Sequence, residues 1–182
     1  MLGSDTNLEE RSVVRQHEAP PRLGSSACLP RYHVVEARVV NPNRRIRTEG
    51  VEETLALGQD IGSSATPRSI VVINGDLGAG KTVLAHGIAR GLGVATWRGS
   101  PTFAIVHEYR GRLPLFHLDA YRLEPGEVEE LDLDRMLDAQ GVVAVEWGDK
   151  VLPALAARSP SRLVRIGIVD EGDDLRSIEI AE

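Results

Sequence analysis

Residues 70–82 read IVVINGDLGAGKT, and this stretch decides the fold class of the chain. Ile70 to Ile73 form a short apolar run that is typical of a strand buried on both faces of a parallel sheet. Three glycines follow, and the apolar residues between Lys81 and Gly91 fit one face of a helix. Since glycine costs conformational entropy, the loop must need a backbone that only glycine permits. The pattern predicts a strand, a glycine loop and a helix.

The loop fits the pattern G-x-x-x-x-G-K-[ST], with Gly75, Gly80, Lys81 and Thr82 at the fixed positions. In this P-loop motif, backbone N–H groups surround phosphates and the helix N-terminus adds its positive dipole end. Lys81 would contact the β- and γ-phosphates, and the Thr82 hydroxyl would bind Mg²⁺. A glycine-rich turn with a surface lysine is the alternative. The nucleotide-binding candidates here are Asp76, Leu77, Gly78, Ala79, Gly80, Lys81, Thr82 and Val83.

Lysine usage supports the phosphate site. The chain contains only two lysines, Lys81 and Lys150. Apart from histidine, all its other basic residues are arginine. A sequence that prefers arginine elsewhere still has lysine at the position where the motif requires it. We therefore predict that residues 75–82 bind the phosphates of a nucleotide.

The composition excludes several classes of function. The chain has 182 residues, of which 42% are hydrophobic, enough for one domain with a sizeable core. A formal net charge of -6 argues against general electrostatic attraction to nucleic acid. The single cysteine, Cys28, excludes an intrachain disulfide and a cysteine metal site. No stretch resembles a signal peptide or a membrane span, so we expect a cytoplasmic protein without membrane contact.

The N-terminal region differs from the rest of the chain. Residues 1–30 are polar and include adjacent prolines and a GSS stretch, so we expect a mobile tail. RYHVVEARVV at 31–40 is rich in β-branched residues and predicts a strand, and NPNRR at 41–45 predicts a turn. We divide the chain into an N-terminal extension, residues 1–45, and a P-loop domain, residues 46–182.

The remaining segments alternate between helical and strand patterns. Helices are predicted at 51–61, 124–141 and 148–158, and further strands at 103–109, 113–119, 141–147, 163–169 and 177–181. Arg110-Gly111-Arg112 forms a turn between the first two of these strands, which predicts an antiparallel β-hairpin. We therefore expect an α/β protein with a three-layer P-loop NTPase-like fold. Its central sheet would be mostly parallel, with a β-hairpin after the first P-loop helix and with flanking helices.

Two strands of the predicted sheet end in a carboxylate. VVAVEW places Glu146 at the carboxyl end of one buried strand, and HLDAYRL places Asp119 at the end of another. Open α/β sheets bind ligands at this edge, and in P-loop enzymes an acid there orders Mg²⁺ or polarises the attacking water. A strand that ends in a solvent-facing acid is the alternative. We predict that Asp119 and Glu146 are catalytic and form a metal site with Thr82.

Three neighbouring features have two interpretations each. SPTF at 100–103 places two hydroxyl groups before a strand, where a loop can sense a γ-phosphate or form an ordinary turn. His117 is more often a packed or capping residue than a catalyst, and Arg122 contacts phosphate or forms an ion pair. Trp147 either stacks on the nucleotide or fills the core, and we include it among the nucleotide-binding candidates.

Five motifs in order resemble the TsaE (YjeE) family of ATPases. They are GDLGAGKT, GLG at 91–93, SPTF, HLDAYRL and VEWGD, and EETLALG at 52–58 matches the family's first helix. The resemblance covers about residues 46–182, and five ordered motifs are far more specific than the P-loop alone. Residues 1–45 have no counterpart in the compact form of the family.

The resemblance implies a role in the bacterial synthesis of N6-threonylcarbamoyladenosine in tRNA. TsaE is the ATPase of that system, with ATP and Mg²⁺ as cofactors, and it acts on the transferase formed by TsaB and TsaD. By motif match, Lys81 and Thr82 bind phosphate and Mg²⁺. Asp119 and Glu146 act on Mg²⁺ or water, and either residue fits either role.

The resemblance also implies roles for one residue of SPTF and one residue of EETLALG. Thr102 is a candidate for a switch loop, and Thr54 lies near the expected position of the purine. The chain is acidic and has no basic, aromatic-rich surface, so we expect no direct binding of tRNA by the chain alone. We expect ATP hydrolysis to be weak alone and to be stimulated by the partners.

A GTPase, a small-molecule kinase and a nucleotide-sensing module would each need a different sequence feature. A GTPase would need an Asn-Lys-x-Asp signature, and no asparagine in the chain is followed by lysine. A small-molecule P-loop kinase would need an arginine-bearing lid, for which Arg110 and Arg112 are the candidates. A non-catalytic nucleotide-sensing module would lack a water-positioning acid, whereas this chain has two candidate acids. The kinase and the sensing module remain the alternatives to an ATPase.

Overall fold

The strand, glycine loop and helix predicted around residues 70–82 lie at the centre of the structure, a computed structural model. It describes residues 33–34, 43–101, 104–124 and 126–182. The strands are β1 (His33–Val34), β2 (Asn43–Thr48), β3 (Ser69–Gly75), β4 (Val106–Tyr109), β5 (Leu115–Asp119), β6 (Val142–Glu146), β7 (Arg162–Gly172) and β8 (Leu175–Ala181). The helices are α1 (Val51–Ser64), α2 (Lys81–Gly91), α3 (Leu133–Asp138) and α4 (Leu152–Ala157), with 3₁₀ segments at Glu127–Glu130 and Gly148–Val151.

All described strands belong to one sheet with the order β1-β2-β8-β7-β3-β6-β5-β4. The four central strands, β7, β3, β6 and β5, are parallel. The strands at both edges are antiparallel, and β4 and β5 form the predicted hairpin. The register pairs Ile73 with Glu146, and Glu146 with Asp119. The carboxyl ends of three adjacent strands therefore lie level beside the glycine loop.

Helices cover both faces of the central sheet. Val71 and Ile73 of β3 pack in the core that α2 covers, and Ile70 and Val72 pack in the core that α3 and α4 cover. Both faces of β3 are thus buried, which explains its uninterrupted apolar sequence. The arrangement is the predicted three-layer α/β fold. Within the described ranges, no helix is both long enough and apolar enough to cross a membrane.

The start of β2 differs from the prediction. Residues 43–45 were predicted as a turn but begin β2, because their backbone pairs with residues 179–181 of β8. Arg44 and Arg45 are both exposed, so this part of β2 lacks an apolar strand pattern. β2 thus crosses the division drawn between residues 45 and 46. The predicted tail and most of the predicted strand at 31–40 lie outside the described residues.

The acidic helix predicted at 124–141 is divided into a 3₁₀ segment and α3. Asp132 separates the two with a φ of 37°, a left-handed conformation that cannot continue a right-handed helix. The strand predicted from residue 103 begins only at Val106, since Ile105 has a φ of 63°. β7 continues to Gly172, so its connection to β8 consists of Asp173 and Asp174, both with positive φ, as in a two-residue hairpin turn.

α1 and α2 approach each other closely through glycine. The contact is lined by Gly58 and Gly62 of α1 and by Gly87 and Gly91 of α2. A Cβ atom on Gly87 would lie 2.4 Å from the Leu55 carbonyl oxygen, and one on Gly62 would lie 2.2 Å from the Ile88 carbonyl oxygen. Side chains at these positions would push the helices apart. The glycines therefore fix α1 against α2, the helix that follows the glycine loop.

We expect Gly87→Ala to lower the free energy of unfolding by about 1–3 kcal/mol, because its methyl group would overlap the Leu55 carbonyl group. This loss should exceed the gain of about 1 kcal/mol in helix propensity. Gly167→Ala in β7 is the matched control, since no atom lies within 4 Å of its Cβ position. Urea unfolding followed by circular dichroism measures both variants. Equal stability of Gly87→Ala and the parent would contradict the close approach.

Candidate functional site

The glycine loop, residues 75–80, curves from β3 to the N-terminus of α2. Gly75, Gly78 and Gly80 have φ values of 148°, 83° and 106°, which are costly for residues with a side chain. A Cβ on Gly75 would also lie 2.3 Å from the Ile168 carbonyl oxygen of β7, whereas the space around Gly78 is open. Glycine thus serves two purposes, close packing on the sheet and an open backbone surface towards a ligand.

Lys81 places a positive charge at the centre of the glycine loop. Its Nζ atom donates to the carbonyl oxygens of Gly75 at 2.8 Å and Asp76 at 2.7 Å. The same atom lies 3.5 Å from the centre of the Trp147 ring. Burial lowers the pKa of Lys81, and nearby carboxylates, that of Glu146 first, act in the opposite direction. The ammonium group is held where a bound phosphate would need a counter-charge.

Glu146 is a buried carboxylate with a hydrogen bond on each oxygen. Thr82 Oγ1 donates to Oε2 at 2.9 Å, and His117 Nε2 lies 2.8 Å from Oε1. Glu146 is only 2% exposed at the end of β6. The structure thus brings together Thr82 and Glu146, two of the three predicted metal ligands. It also shows that His117, interpreted from the sequence as a packing residue, contacts one of them.

Asp119 lies beside Glu146, because the two residues are register partners in β5 and β6. Its Oδ2 atom accepts a hydrogen bond from Ser100 Oγ at 2.9 Å, and its Oδ1 atom accepts one from the Tyr121 backbone N–H at 3.0 Å. Both carboxylate oxygens are therefore fixed. Ser100 belongs to the SPTF loop, so this loop contacts one of the two predicted acids. Thr102 lies outside the described residues.

Trp147 forms a wall of the site and is only partly buried. Its φ of 58° is left-handed, and its backbone N–H donates to the Ile73 carbonyl oxygen at 2.9 Å. The indole lies against Lys81 on one side and has its ring centre 5.0 Å from that of Tyr121. The side chain therefore faces the site and does not fill the core.

These residues line one cleft of about 420 Å³. The predicted residues that line it are Leu77, Gly78, Gly80, Lys81, Thr82, Val83, Asp119, Glu146 and Trp147. Asp76 lines an adjoining cavity, and Ala79 is fully buried beneath the loop. Ser100, Tyr121 and Arg122 also line the cleft. From the sequence, the SPTF loop of Ser100 and the Arg122 side chain each had a phosphate-contacting interpretation, whereas Tyr121 had none.

A second pocket, of about 180 Å³, lies on the other side of the glycine loop. Gly78 and Gly80 line both cavities, so the loop separates them. Thr54 of α1 lines the second pocket, and its hydroxyl is bonded to Thr48 Oγ1 at 2.9 Å and the Gly50 carbonyl oxygen at 3.1 Å. Thr54 thus lines a pocket beside the loop and lies outside the main cleft.

Arg176 supports the glycine loop from β8, and sequence reasoning missed it. Its Nε atom donates to the Ala79 carbonyl oxygen at 3.0 Å, and its Nη1 atom contacts Asp170 Oδ1 at 2.9 Å. Arg176 also lines the second pocket. It lies 97 residues after Ala79 in the chain, so no local pattern connects the two residues.

The donor set of the cleft fits Mg²⁺ and a phosphate group. Thr82, Asp119 and Glu146 supply hydroxyl and carboxylate oxygens, the ligands that Mg²⁺ prefers. Among the described residues, no cluster of three or more His, Cys, Asp or Glu side chains would hold a metal unaided. Mg²⁺ at this site would therefore take part of its ligands from phosphate and water, as it commonly does with nucleotides.

The chain is similar to known proteins over most of its described part. The family model "Threonylcarbamoyl adenosine biosynthesis protein TsaE" matches residues 48–178. The tRNA threonylcarbamoyladenosine biosynthesis protein TsaE of Bacillus subtilis is 43% identical over 133 residues, which is 72% of this chain and 81% of that protein. The protein with the same name from a Nostoc species is 39% identical over 122 residues, covering 64% of this chain and 75% of that protein.

A solved structure shares the fold. The crystal structure of Bacillus subtilis YdiB matches with a TM-score of 0.63 and 36% sequence identity, covering 79% of this chain and 87% of that chain. The family match runs from the last residue of β2 into β8 and includes the glycine loop, both strand-end carboxylates and Arg176. The chain therefore belongs to the TsaE family.

Proposed function

We propose that this protein binds and hydrolyses ATP with Mg²⁺ and serves tRNA threonylcarbamoyladenosine biosynthesis as an accessory ATPase of the TsaB–TsaD transferase. One observation supports the ATPase activity above all others. A single cleft combines the glycine loop and Lys81 with a hydroxyl and two carboxylates, those of Thr82, Asp119 and Glu146. The names of the relatives supply the tRNA modification.

In the proposed complex, the phosphates lie in the cleft and the nucleoside lies towards the second pocket. The loop N–H groups and Lys81 bind the phosphate oxygens, and Thr54 and Arg176 line the space for the nucleoside. Bound Mg²⁺ would neutralise part of the phosphate charge. Asp119 and Glu146 are proposed to act on Mg²⁺ or on the attacking water from positions fixed by their hydrogen bonds.

The two arginines that were candidates for a kinase lid both lie away from the cleft. Arg112 Nη2 donates to the carbonyl oxygens at the end of α1, those of Gly62 at 2.7 Å, Ser63 at 2.9 Å and Ala65 at 2.8 Å. It joins the hairpin turn to a helix end. Arg110 lines a separate cavity at the β4 edge of the sheet, which shares no lining residue with the cleft. Hydrolysis by water is therefore favoured over transfer to a second substrate.

Replacing Lys81 tests nucleotide binding. Lys81→Ala removes the charge at the loop centre, so affinity for Mg²⁺ and a non-hydrolysable ATP analogue should fall more than about tenfold. Lys150→Ala is the matched control, because this lysine donates to the Tyr121 carbonyl oxygen at 2.7 Å and does not line the cleft. Its affinity should stay near that of the parent. Titration calorimetry measures both, and unchanged affinity of Lys81→Ala would exclude a phosphate role.

Replacing the acids separates binding from hydrolysis. Glu146→Gln and Asp119→Asn should each lower kcat by about 100-fold and leave ATP affinity nearly unchanged, because the acids act mainly in the transition state. Asp138→Asn changes an exposed carboxylate that pairs with Arg68, and it serves as a control with parent activity. Phosphate release and calorimetry are measured in parallel. If both cleft variants hydrolyse ATP at the parent rate, the catalytic assignment is wrong.

Adding TsaB–TsaD tests whether this transferase stimulates ATP hydrolysis by the chain. ATP hydrolysis should be weak for the chain alone and rise at least about tenfold with TsaB–TsaD, since a partner can complete an NTPase site. Phosphate release is compared for the chain alone, with TsaB–TsaD and with tRNA. Full activity of the isolated chain, or stimulation by tRNA without TsaB–TsaD, would count against the proposed partner dependence.

A further inference from the structure

His117 is a buried imidazole to which the proposed chemistry assigns no role. Its side chain is 0% exposed in the middle of β5. Its Nε2 atom lies 2.8 Å from Glu146 Oε1, and the Glu146 side chain is itself only 3% exposed. The contact is therefore shielded from water on both sides.

The surroundings of the ring determine where its hydrogen lies. A carboxylate only accepts hydrogen bonds, so Nε2 must carry the hydrogen that points to Glu146. The other ring nitrogen, Nδ1, is buried, and no polar atom of the described chain bonds to it. A hydrogen on Nδ1 would be a buried donor without an acceptor, which is unfavourable. The geometry therefore favours a hydrogen on Nε2 that points to Glu146 Oε1.

Stacking fixes the plane of the His117 ring. Trp97 lies nearly parallel to it, with ring centres 5.0 Å apart and an angle of 24°. Trp97 is itself stacked on His86 of α2 and on Tyr109 of β4, with ring centres 5.1 Å apart in both contacts. The imidazole can therefore neither turn away from Glu146 nor be moved without disturbing this group of rings.

Packing alone does not explain a histidine at this position. Phenylalanine would fill a similar volume, would stack on Trp97 and would leave no buried nitrogen without a partner. Histidine differs from phenylalanine in having an N–H group that donates a hydrogen bond to Glu146. Among the described residues Nδ1 has no partner, which makes the residue costly for stability, so the hydrogen bond to Glu146 is the feature that accounts for it.

We infer that His117 is a positioning residue for Glu146, an inference that rests on the proposed ATPase function. The imidazole holds Oε1, so that Oε2 stays directed at Thr82 Oγ1. The terminal torsion of glutamate is otherwise broad, and the carboxylate would turn without this donor. Hydrolysis would then slow, whereas the glycine loop and Lys81 would still bind ATP.

Three variants of the full-length chain test the inference. His117→Phe keeps the ring stack and removes the donor, so kcat should fall about 10- to 100-fold while the ATP-analogue affinity stays close to that of the parent. His117→Gln retains a side-chain N–H and should recover part of the rate. His86→Phe is the matched control, because it changes a ring stacked on Trp97 that has no bond to Glu146, and its kcat should equal that of the parent.

A measurement independent of turnover accompanies these variants. The chain has five histidines, so ¹⁵N-histidine labelling gives few ring signals, and the signal lost in His117→Phe identifies His117. Its nitrogen shifts should show hydrogen on Nε2, and they should change in Glu146→Gln. A ring with hydrogen on Nδ1, or a His117→Phe variant with the parent kcat, would overturn the inference. No ATP turnover by the parent with TsaB–TsaD would instead overturn the proposed function.

Discussion

Burial of the Glu146 carboxylate requires two hydrogen-bond donors, and they come from different layers of the fold. Thr82 reaches it from the first turn of α2, and His117 reaches it from β5. An unpaired carboxylate at this depth would be strongly destabilising, so helix, loop and strand must meet at one point. The glycine contact between α1 and α2 sets the position of Thr82, and the β5–β6 register sets that of His117. The candidate site is thus a consequence of how the layers pack.

The segment between α2 and β4 connects the supports of both acids. Ser100 donates directly to Asp119, and Trp97, three residues earlier, stacks on the ring that bonds Glu146. Residues 97–100 therefore support both carboxylates, although neither carboxylate belongs to this stretch. A displacement of this stretch would disturb the two acids together and would leave the glycine loop in place.

Local patterns predicted the centre of the fold and much of the site. The apolar run at 70–73, the glycine spacing and the helical period after Lys81 are all short-range signals, and the structure confirms the elements they predict. Long-range contacts were not predictable in this way. His117 bonds to a residue 29 positions away, and Arg176 bonds to one 97 positions away. The left-handed conformation of Asp132 was also not predicted, although aspartate adopts this region more readily than most residues.

The contact of Arg176 with the Ala79 carbonyl oxygen links loop geometry to the order in which the chain is synthesised. The glycine loop emerges early, but its support in β8 emerges nearly a hundred residues later. β8 lies between β2 and β7, so the same late segment also joins the first long strand to the parallel centre of the sheet. A nascent chain that lacks β8 has a glycine loop without its arginine support. Completion of the candidate site therefore coincides with the step that joins β2 to the parallel centre of the sheet.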